Sequence, residues 1–223
     1  MIKIAYFGGS FNPVHIGHLK SAKFVLDNLG LDELYFMPNA TPPHKESVAL
    51  SYEQRCHLLE CALQDCHQER FKLSYLEKDS LVKHYTYETL ERLHELHPDA
   101  ELFFIIGMDS LINFKTWKNW EHLVDKAHIV VLNRPGYDIK TLDSAIYEHI
   151  EATHKKYQAH QCPYDFMILD SPPYDISSTQ LREALSNLDS SNCAQQDACE
   201  LILMRSLSPR TLQEIQKLHL LGA

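Results

Sequence analysis

Ile2-Lys3-Ile4-Ala5-Tyr6-Phe7-Gly8-Gly9-Ser10-Phe11-Asn12-Pro13-Val14-His15-Ile16-Gly17-His18 decides how the chain is read. Residues 2–7 predict a β-strand. From Ile16 to Leu29 the apolar positions Leu19, Ala22, Leu26 and Leu29 keep the helical period, and Gly30 supplies a stop. A strand that passes through a glycine turn into a helix opens an α/β unit, and open α/β sheets bind ligands beyond the carboxyl ends of their strands. The string is neither the G-x-G-x-x-G fingerprint nor a G-x-x-x-x-G-K-[ST] loop. Its adjacent glycines allow backbone N–H groups to approach a phosphate closely. His15 and His18 stand three apart at a helix start and share a face. Two imidazoles at the positive end of a helix make a site for a polyphosphate, and Gly17 keeps the surface between them bare.

Working outward, strand-like runs recur at 33–37, 71–75, 102–106, 129–132 and 165–169. Helical patterns fall at 51–67, opened by the capping box Ser51-x-x-Gln54, and at 86–97, 141–158, 178–187, 194–205 and 209–220. The alternation predicts an α/β fold: a doubly wound, mainly parallel Rossmann-like sheet with a C-terminal helical extension. One domain over 1–223 is expected, with an α/β core at 1–175 and a helical part at 176–223. The segment 138–164 is polar and says little.

The 223 residues include 21 basic and 30 acidic side chains, a net charge of −9. Such a balance disfavours nucleic-acid or anionic-membrane binding, which need a basic footprint. No apolar run approaches the ~20 residues that cross a bilayer, and the N-terminus lacks an apolar stretch of signal-peptide length. A cytoplasmic protein is expected. Six cysteines form no C-x-x-C pair, so they are read as free thiols rather than a zinc site. Fourteen histidines invite a metal-binding reading, but apart from His15 and His18 they are scattered, and no metal site is expected. The sequence leaves homo-oligomerisation open.

A second stretch, Ile176-Ser177-Ser178-Thr179-Gln180-Leu181-Arg182, reads as a serine-rich helix start with an Arg one turn in. Its N–H groups and hydroxyls suit phosphate oxygens, and Arg182 adds a fork of charged donors. Taken in order, the first stretch resembles the G-G-[ST]-F-[DN]-P-x-H-x-G-H signature of the nucleotidyltransferase superfamily, and the second its I-S-S-T-x-[IL]-R motif. Intermediate residues narrow the resemblance to bacterial nicotinate-nucleotide adenylyltransferases: Pro38-Asn39, Thr41-Pro42-Pro43-His44-Lys45, Tyr85-Thr86-Tyr87-Glu88-Thr89-Leu90, Gly107-Met108-Asp109-Ser110-Leu111, Thr116-Trp117 and Arg134-Pro135-Gly136-Tyr137. The likeness covers 1–137 and 165–220 and fades between them. Pantetheine-phosphate adenylyltransferases are the nearest alternative. An NAD-binding regulator or oxidoreductase would want an acidic residue ending the second strand, where this chain has Pro38-Asn39.

The resemblance implies transfer of the adenylyl group of ATP to nicotinate mononucleotide, giving deamido-NAD and pyrophosphate in NAD biosynthesis, with Mg²⁺ arriving on ATP and no tightly bound cofactor. It assigns His15, His18 and Arg182 to catalysis. ATP would be held by Gly8, Gly9, Ser10, Phe11, His15, His18, Gly107, Asp109, Ile176, Ser178, Thr179 and Arg182. The pyridine nucleotide would meet Asn39, His44, Lys45, Thr86, Trp117 and Arg134. Trp117 suits stacking on the pyridinium. The helix start at Thr86 suits a carboxylate, although a plain helix cap reads equally well there. Asp109 reads as a ribose or adenine acceptor or as a cap, and Arg134 as a phosphate contact or a turn residue.

Overall fold

Strand β1 spans Ile2–Gly9 and helix α1 spans Ile16–Leu29 in the computed structural model. It describes residues 1–40, 49–78, 84–133, 139–174, 176–188 and 193–220. Gly30 follows α1 at φ +59°, the left-handed geometry glycine reaches without a Cβ penalty. The further strands are β2 (Glu33–Pro38), β3 (Phe71–Leu73), β4 (Ala100–Gly107), β5 (His128–Asn133) and β6 (Phe166–Asp170). The further helices are α2 (Tyr52–Cys66), α3 (Thr86–Leu96), α4 (Met108–Ile112), α5 (Ser144–Gln158), α6 (Ser178–Ser186), α7 (Cys193–Ser206) and α8 (Pro209–Lys217).

The strands form one parallel sheet in the order β3-β2-β1-β4-β5-β6. Winding leaves β1 in one direction for β2 and β3, then returns to β4 on its other side. The expected doubly wound α/β architecture is therefore present, with its switch point between β1 and β4. Residues 4–7, 102–106 and 129–132 are buried without alternation, as strands covered on both faces must be. Register is direct: Ile4 lies beside Leu102, and Phe104 beside Ile129.

The chain divides into two compact units. The first comprises Met1–Gly8, Phe24–Tyr35 and Leu81–Pro173; the second comprises Gly9–Lys23, Phe36–Ser80 and Tyr174–Ala223. In the first, Phe103, Ile105, Val130, Leu90, Leu111 and Phe114 are buried together with Ile146 of α5. In the second, Phe11, Phe36 and Phe71 form a chain of edge-to-face rings with centroids 5.7 and 5.3 Å apart, a favoured aromatic geometry. Leu58, Leu59, Leu181, Leu203 and Ile215 are buried in the same unit.

Local signals explain most boundaries. Ser51 caps α2 in the anticipated box with Gln54, each side chain serving the other's backbone N–H. Asp143 caps α5 through the Ala145 N–H, so that helix starts at Ser144, after a short 3₁₀ turn at Ile139–Thr141. The sequence pattern did not anticipate α4 or the 3₁₀ turns at Phe114–Thr116 and Trp120–Asp125, which are too short to display a period. Among the described residues Cys56, Cys61, Cys66, Cys162 and Cys199 are free. Burial pushes the thiols of Cys56, Cys61, Cys66 and Cys162 above their ordinary range, as expected of packing rather than reactive cysteines. No described helix is long and apolar enough to cross a membrane.

Candidate active site

The two sequence motifs meet in the second unit. Asn12 and Pro13 lie in a turn between β1 and α1, outside any helix or strand, so their carbonyls have no helical or ladder partner. Side chains of α6 occupy them instead. Ser178 donates its hydroxyl to the Pro13 carbonyl at 3.0 Å, and Arg182 donates from Nη1 to the Asn12 carbonyl at 2.7 Å. A second nitrogen of Arg182, Nη2, bonds Thr179 Oγ1 at 3.1 Å. Asn12 itself is buried, and its Oδ1 accepts no hydrogen bond among the described residues.

The start of α6 is built as read. Ser177 and Gln180 complete a reciprocal capping box: Ser177 Oγ accepts the Gln180 N–H at 3.2 Å and Gln180 Oε1 accepts the Ser177 N–H at 2.9 Å. That leaves the N–H groups of Ser178 and Thr179 without an acceptor among the described residues, at the positive end of a helix and beside Arg182. Ile176 precedes the cap and donates its N–H to the Tyr174 carbonyl at 2.8 Å.

His15 and His18 also meet as read. Their ring centroids are 3.7 Å apart with planes 34° from parallel. His15 is buried and His18 half-buried. The His15 backbone N–H donates to His18 Nδ1 at 3.2 Å, so neutral His18 carries its proton on Nε2 and presents a donor there. Phe11 sets its ring edge-on to His18 at 5.1 Å, and its backbone takes φ +44°, an uncommon region for a non-glycine residue.

Beside the phosphate approach expected of Gly8 and Gly9 and the bare surface expected of Gly17, the structure gives each of these glycines a packing reason. A Cβ on Gly17 would lie 2.9 Å from His15 Nδ1; the bare helix surface is the seat of the His15 ring. A Cβ on Gly9 would lie 3.0 Å from the tip of Phe11, and one on Gly8 would lie 2.9 Å from the tip of Phe104 in the first unit. At all three positions an aromatic ring takes the space a side chain would fill.

Sequence reasoning missed Arg55. This α2 residue is 1% exposed, yet no carboxylate is ion-paired with it among the described residues. Its guanidinium donates to three carbonyls: Ser10 at 2.8 Å from Nη1, and Asn39 at 2.6 Å and Ala40 at 3.2 Å from Nη2. Burial pulls its pKa below the ordinary guanidinium value, a cost the carbonyl dipoles offset. Asn39 also donates its N–H to the Gly9 carbonyl at 3.0 Å. Arg55 thus ties the segment after β1 to the segment after β2.

In the first unit, β4 ends at Gly107, which is the N-cap of α4, and exposed Asp109 lies in its first turn. Thr86 is the first residue of α3 rather than its cap; the cap is Tyr85, which offers no side-chain acceptor. Half-buried Trp117 packs on Phe114 with centroids 5.3 Å apart, and its N–H is taken by the Phe114 carbonyl at 3.0 Å. The next residue, Lys118, stands 4.6 Å over the Tyr85 ring and 2.6 Å from Glu88 Oε1. The α3 start and the Trp117 turn are therefore neighbours. His44, Lys45 and Arg134 lie outside the described residues.

The comparisons agree with this architecture. The Cytidylyltransferase-like family matches residues 6–184. The chain belongs to that family. It is 36% identical over 186 residues to a protein of Clostridium tetani named nicotinate-nucleotide adenylyltransferase, covering 83% of this chain and 88% of that protein. A Shewanella baltica protein of the same name is 38% identical over 195 residues, with the same coverage. Among solved structures, Plasmodium falciparum nicotinic acid mononucleotide adenylyltransferase complexed with APC superimposes with a TM-score of 0.72 over 99% of this chain and 98% of that one. The same enzyme complexed with NaAD gives 0.69 over the same shares. At 19% and 20% identity these two structures speak for the shared fold.

Proposed function

We propose that the chain transfers the adenylyl group of ATP to nicotinate mononucleotide, forming deamido-NAD and releasing pyrophosphate. The observation that carries the reading is the junction of loop and helix: Arg182 and Ser178 fixed on the carbonyls of Asn12 and Pro13, in the loop that leads into the close pair His15 and His18. It gathers cationic and N–H donors around one helix start, the arrangement a triphosphate requires. The names of the relatives supply the second substrate.

In this reading a 5′-phosphate oxygen of nicotinate mononucleotide attacks the α-phosphorus of ATP. The bond to the bridging oxygen breaks, and pyrophosphate leaves with the electron pair. The nucleophile is already an anion, so catalysis consists of positioning and charge stabilisation. His18 donates from Nε2 to the α-phosphate as its charge grows, and His15 sets the plane of that ring. Ser178, Thr179 and Arg182 receive the leaving phosphates. Gly8, Gly9, Ser10 and Phe11 shape the loop beneath them, Ile176 leads into the cap, and Gly107 and Asp109 serve the adenosine. Asn39, Thr86 and Trp117 serve the pyridine nucleotide, together with His44, Lys45 and Arg134. Among the described residues no cluster of His, Cys, Asp and Glu is arranged to hold a metal ion, and Mg²⁺ belongs to the substrate as the counter-ion of ATP. A cytoplasmic setting suits the free thiols.

The test is pyrophosphate release with ATP against nicotinate mononucleotide, nicotinamide mononucleotide and phosphopantetheine. Turnover with the first far above the others is expected. Turnover with phosphopantetheine alone overturns the choice of substrate, and no release with any overturns the reaction.

A further inference from the structure

Helix α7 buries one side and leaves large apolar side chains exposed on the rest of its surface. Cys199, Leu203 and Ser206 form the buried stripe. Away from that stripe, Leu201 is 49% exposed and Met204 71%, and Ile202, which flanks the stripe, is 45% exposed. A surface helix ordinarily turns a polar face outward; here large apolar side chains stand outward among Asp197, Glu200 and Arg205. At 3.6 residues per turn, Leu201 sits opposite the buried stripe. Asp197 and Arg205 lie one turn before and after it, with Ala198 and Met204 beside them; all four are exposed. Neither Asp197 nor Arg205 has an ion-pair partner among the described residues.

We propose that this face docks a second copy of the chain, the two α7 helices packing antiparallel about a twofold axis at Leu201. The charge pattern selects this occupant. A twofold axis brings each residue before position 201 level with the residue equally far beyond it in the second copy. Leu201 meets Leu201 on the axis, while Ala198 comes level with Met204 and Asp197 with Arg205, each of these two pairings made twice. The stripe is then complementary to itself in size, small against long, and in sign, carboxylate against guanidinium. A parallel, in-register pairing would set Asp197 against Asp197 and Arg205 against Arg205, which costs rather than stabilises. The contact is a single helix pair, at the small end of specific interfaces, so the dimer is reversible and depends on concentration.

Sedimentation equilibrium of the full chain, from micromolar to millimolar concentration, tests this. The wild type is expected to pass from monomer to dimer, and Leu201→Glu to remain monomeric. Each single reversal, Asp197→Arg or Arg205→Asp, is expected to weaken association by about tenfold or more, and the double reversal to recover most of the loss. Specific activity of the variants, assayed as monomers, reports that they are folded, since α7 contributes nothing to the candidate site. A wild type that stays monomeric throughout, a dimer that survives Leu201→Glu, or a double reversal no better than the singles overturns the proposal.

Discussion

The backbone N–H of His15 donates to Nδ1 of His18. This one bond fixes which nitrogen of neutral His18 carries its proton, and thereby which atom it would offer to the α-phosphate in the proposed reaction. His18→Ala is expected to lower kcat by about 10²–10³-fold, the usual loss for a transition-state donor, with the circular dichroism spectrum unchanged. Gln can place an amide N–H where Nε2 stood, whereas Asn places one near Nδ1. His18→Gln is therefore expected to retain more activity than His18→Asn. Equal activities, or a folded His18→Ala with near-normal turnover, would show that Nε2–H is not the working donor.

Gly17→Ala separates activity from stability. The added methyl would stand 2.9 Å from His15 Nδ1 and 3.5 Å from Tyr174 Cβ, so the imidazole must turn away. Replacing a helical glycine by alanine stabilises by ~1 kcal/mol, which offsets much of the crowding. The expected outcome is a melting temperature within a few degrees of wild type and a kcat at least ~10-fold lower. A variant with full turnover would sink the idea that the close pair matters.

In the proposed reaction Arg55 would act through the loop it holds rather than by touching substrate. Removing its guanidinium leaves the Ser10, Asn39 and Ala40 carbonyls without their donor, at about 1–3 kcal/mol for each one that water fails to reach. Arg55→Met, which keeps the stem volume, is expected to cost about 2–4 kcal/mol in urea unfolding and to raise the KM for ATP more than it lowers kcat. Arg55→Lys keeps a charge but not the fork, and should recover stability better than KM. If Arg55→Met lowers stability yet leaves KM unchanged, the residue is structural and does not position the loop.

Why Arg55 escaped the sequence while Arg182 did not is a matter of distance along the chain. Arg182 follows a capping box and is marked by its own neighbours. Arg55 stands among Tyr52, Glu53 and Gln54 in a stretch that looks solvent-facing, and its acceptors are 45, 16 and 15 residues away. The same holds for Gly8, whose ring partner Phe104 belongs to a distant strand. Periodicity showed the strands and long helices because burial repeats along them. The five residues of α4 are too few for a repeat. The histidine pair was legible because helix geometry alone makes residues three apart neighbours. The tautomer it enforces was not, since it depends on how the turn before the helix aims one N–H.

Stability should fall with acid through His128. It is buried at the start of β5, with Nε2 3.2 Å from Glu101 Oε1 and Nδ1 accepting the Asp165 N–H at 3.1 Å. Phe103 stacks on it, and Tyr157 and Tyr164 meet it edge-on. Burial lowers its pKa, and Glu101 and Asp165 recover only part of that. The fold thus keeps it neutral, while the unfolded chain takes up a proton below about pH 6.5. Its contribution is full above that pH and is lost as pH falls toward the depressed folded value, by at most ~1.4 kcal/mol per pH unit. His149, also lowered by burial, adds a slope of the same sign. In urea titrations at pH 7.5 and 5.5, His128→Phe should be less stable at the higher pH and lose less on acidification. An identical loss in wild type and variant would exclude His128 as the source.

Base selection can be placed on a single backbone N–H. Nicotinate and nicotinamide mononucleotides differ by a carboxylate against a carboxamide, so selection must act at that group. The Trp117 N–H is already given to the Phe114 carbonyl, which leaves the first turn of α3, uncapped by any side chain of Tyr85, as the donor set for a carboxylate. Thr86→Pro removes one of those donors with little other damage. Proline is favoured at the first helical position, and Tyr85, at φ −101° and ψ 136°, already holds the extended backbone a residue before proline needs. A hydrogen bond to a charged group contributes about 1.5–3 kcal/mol, so the kcat/KM preference for nicotinate mononucleotide is expected to fall by roughly 10–100-fold, mostly through loss on the nicotinate side. Thr86→Ala deletes the hydroxyl but keeps the N–H, and should leave the preference nearly intact. Trp117→Ala should slow both substrates through lost stacking and change their ratio less than either rate. A proline variant that is folded and still selective would place base selection away from the α3 start.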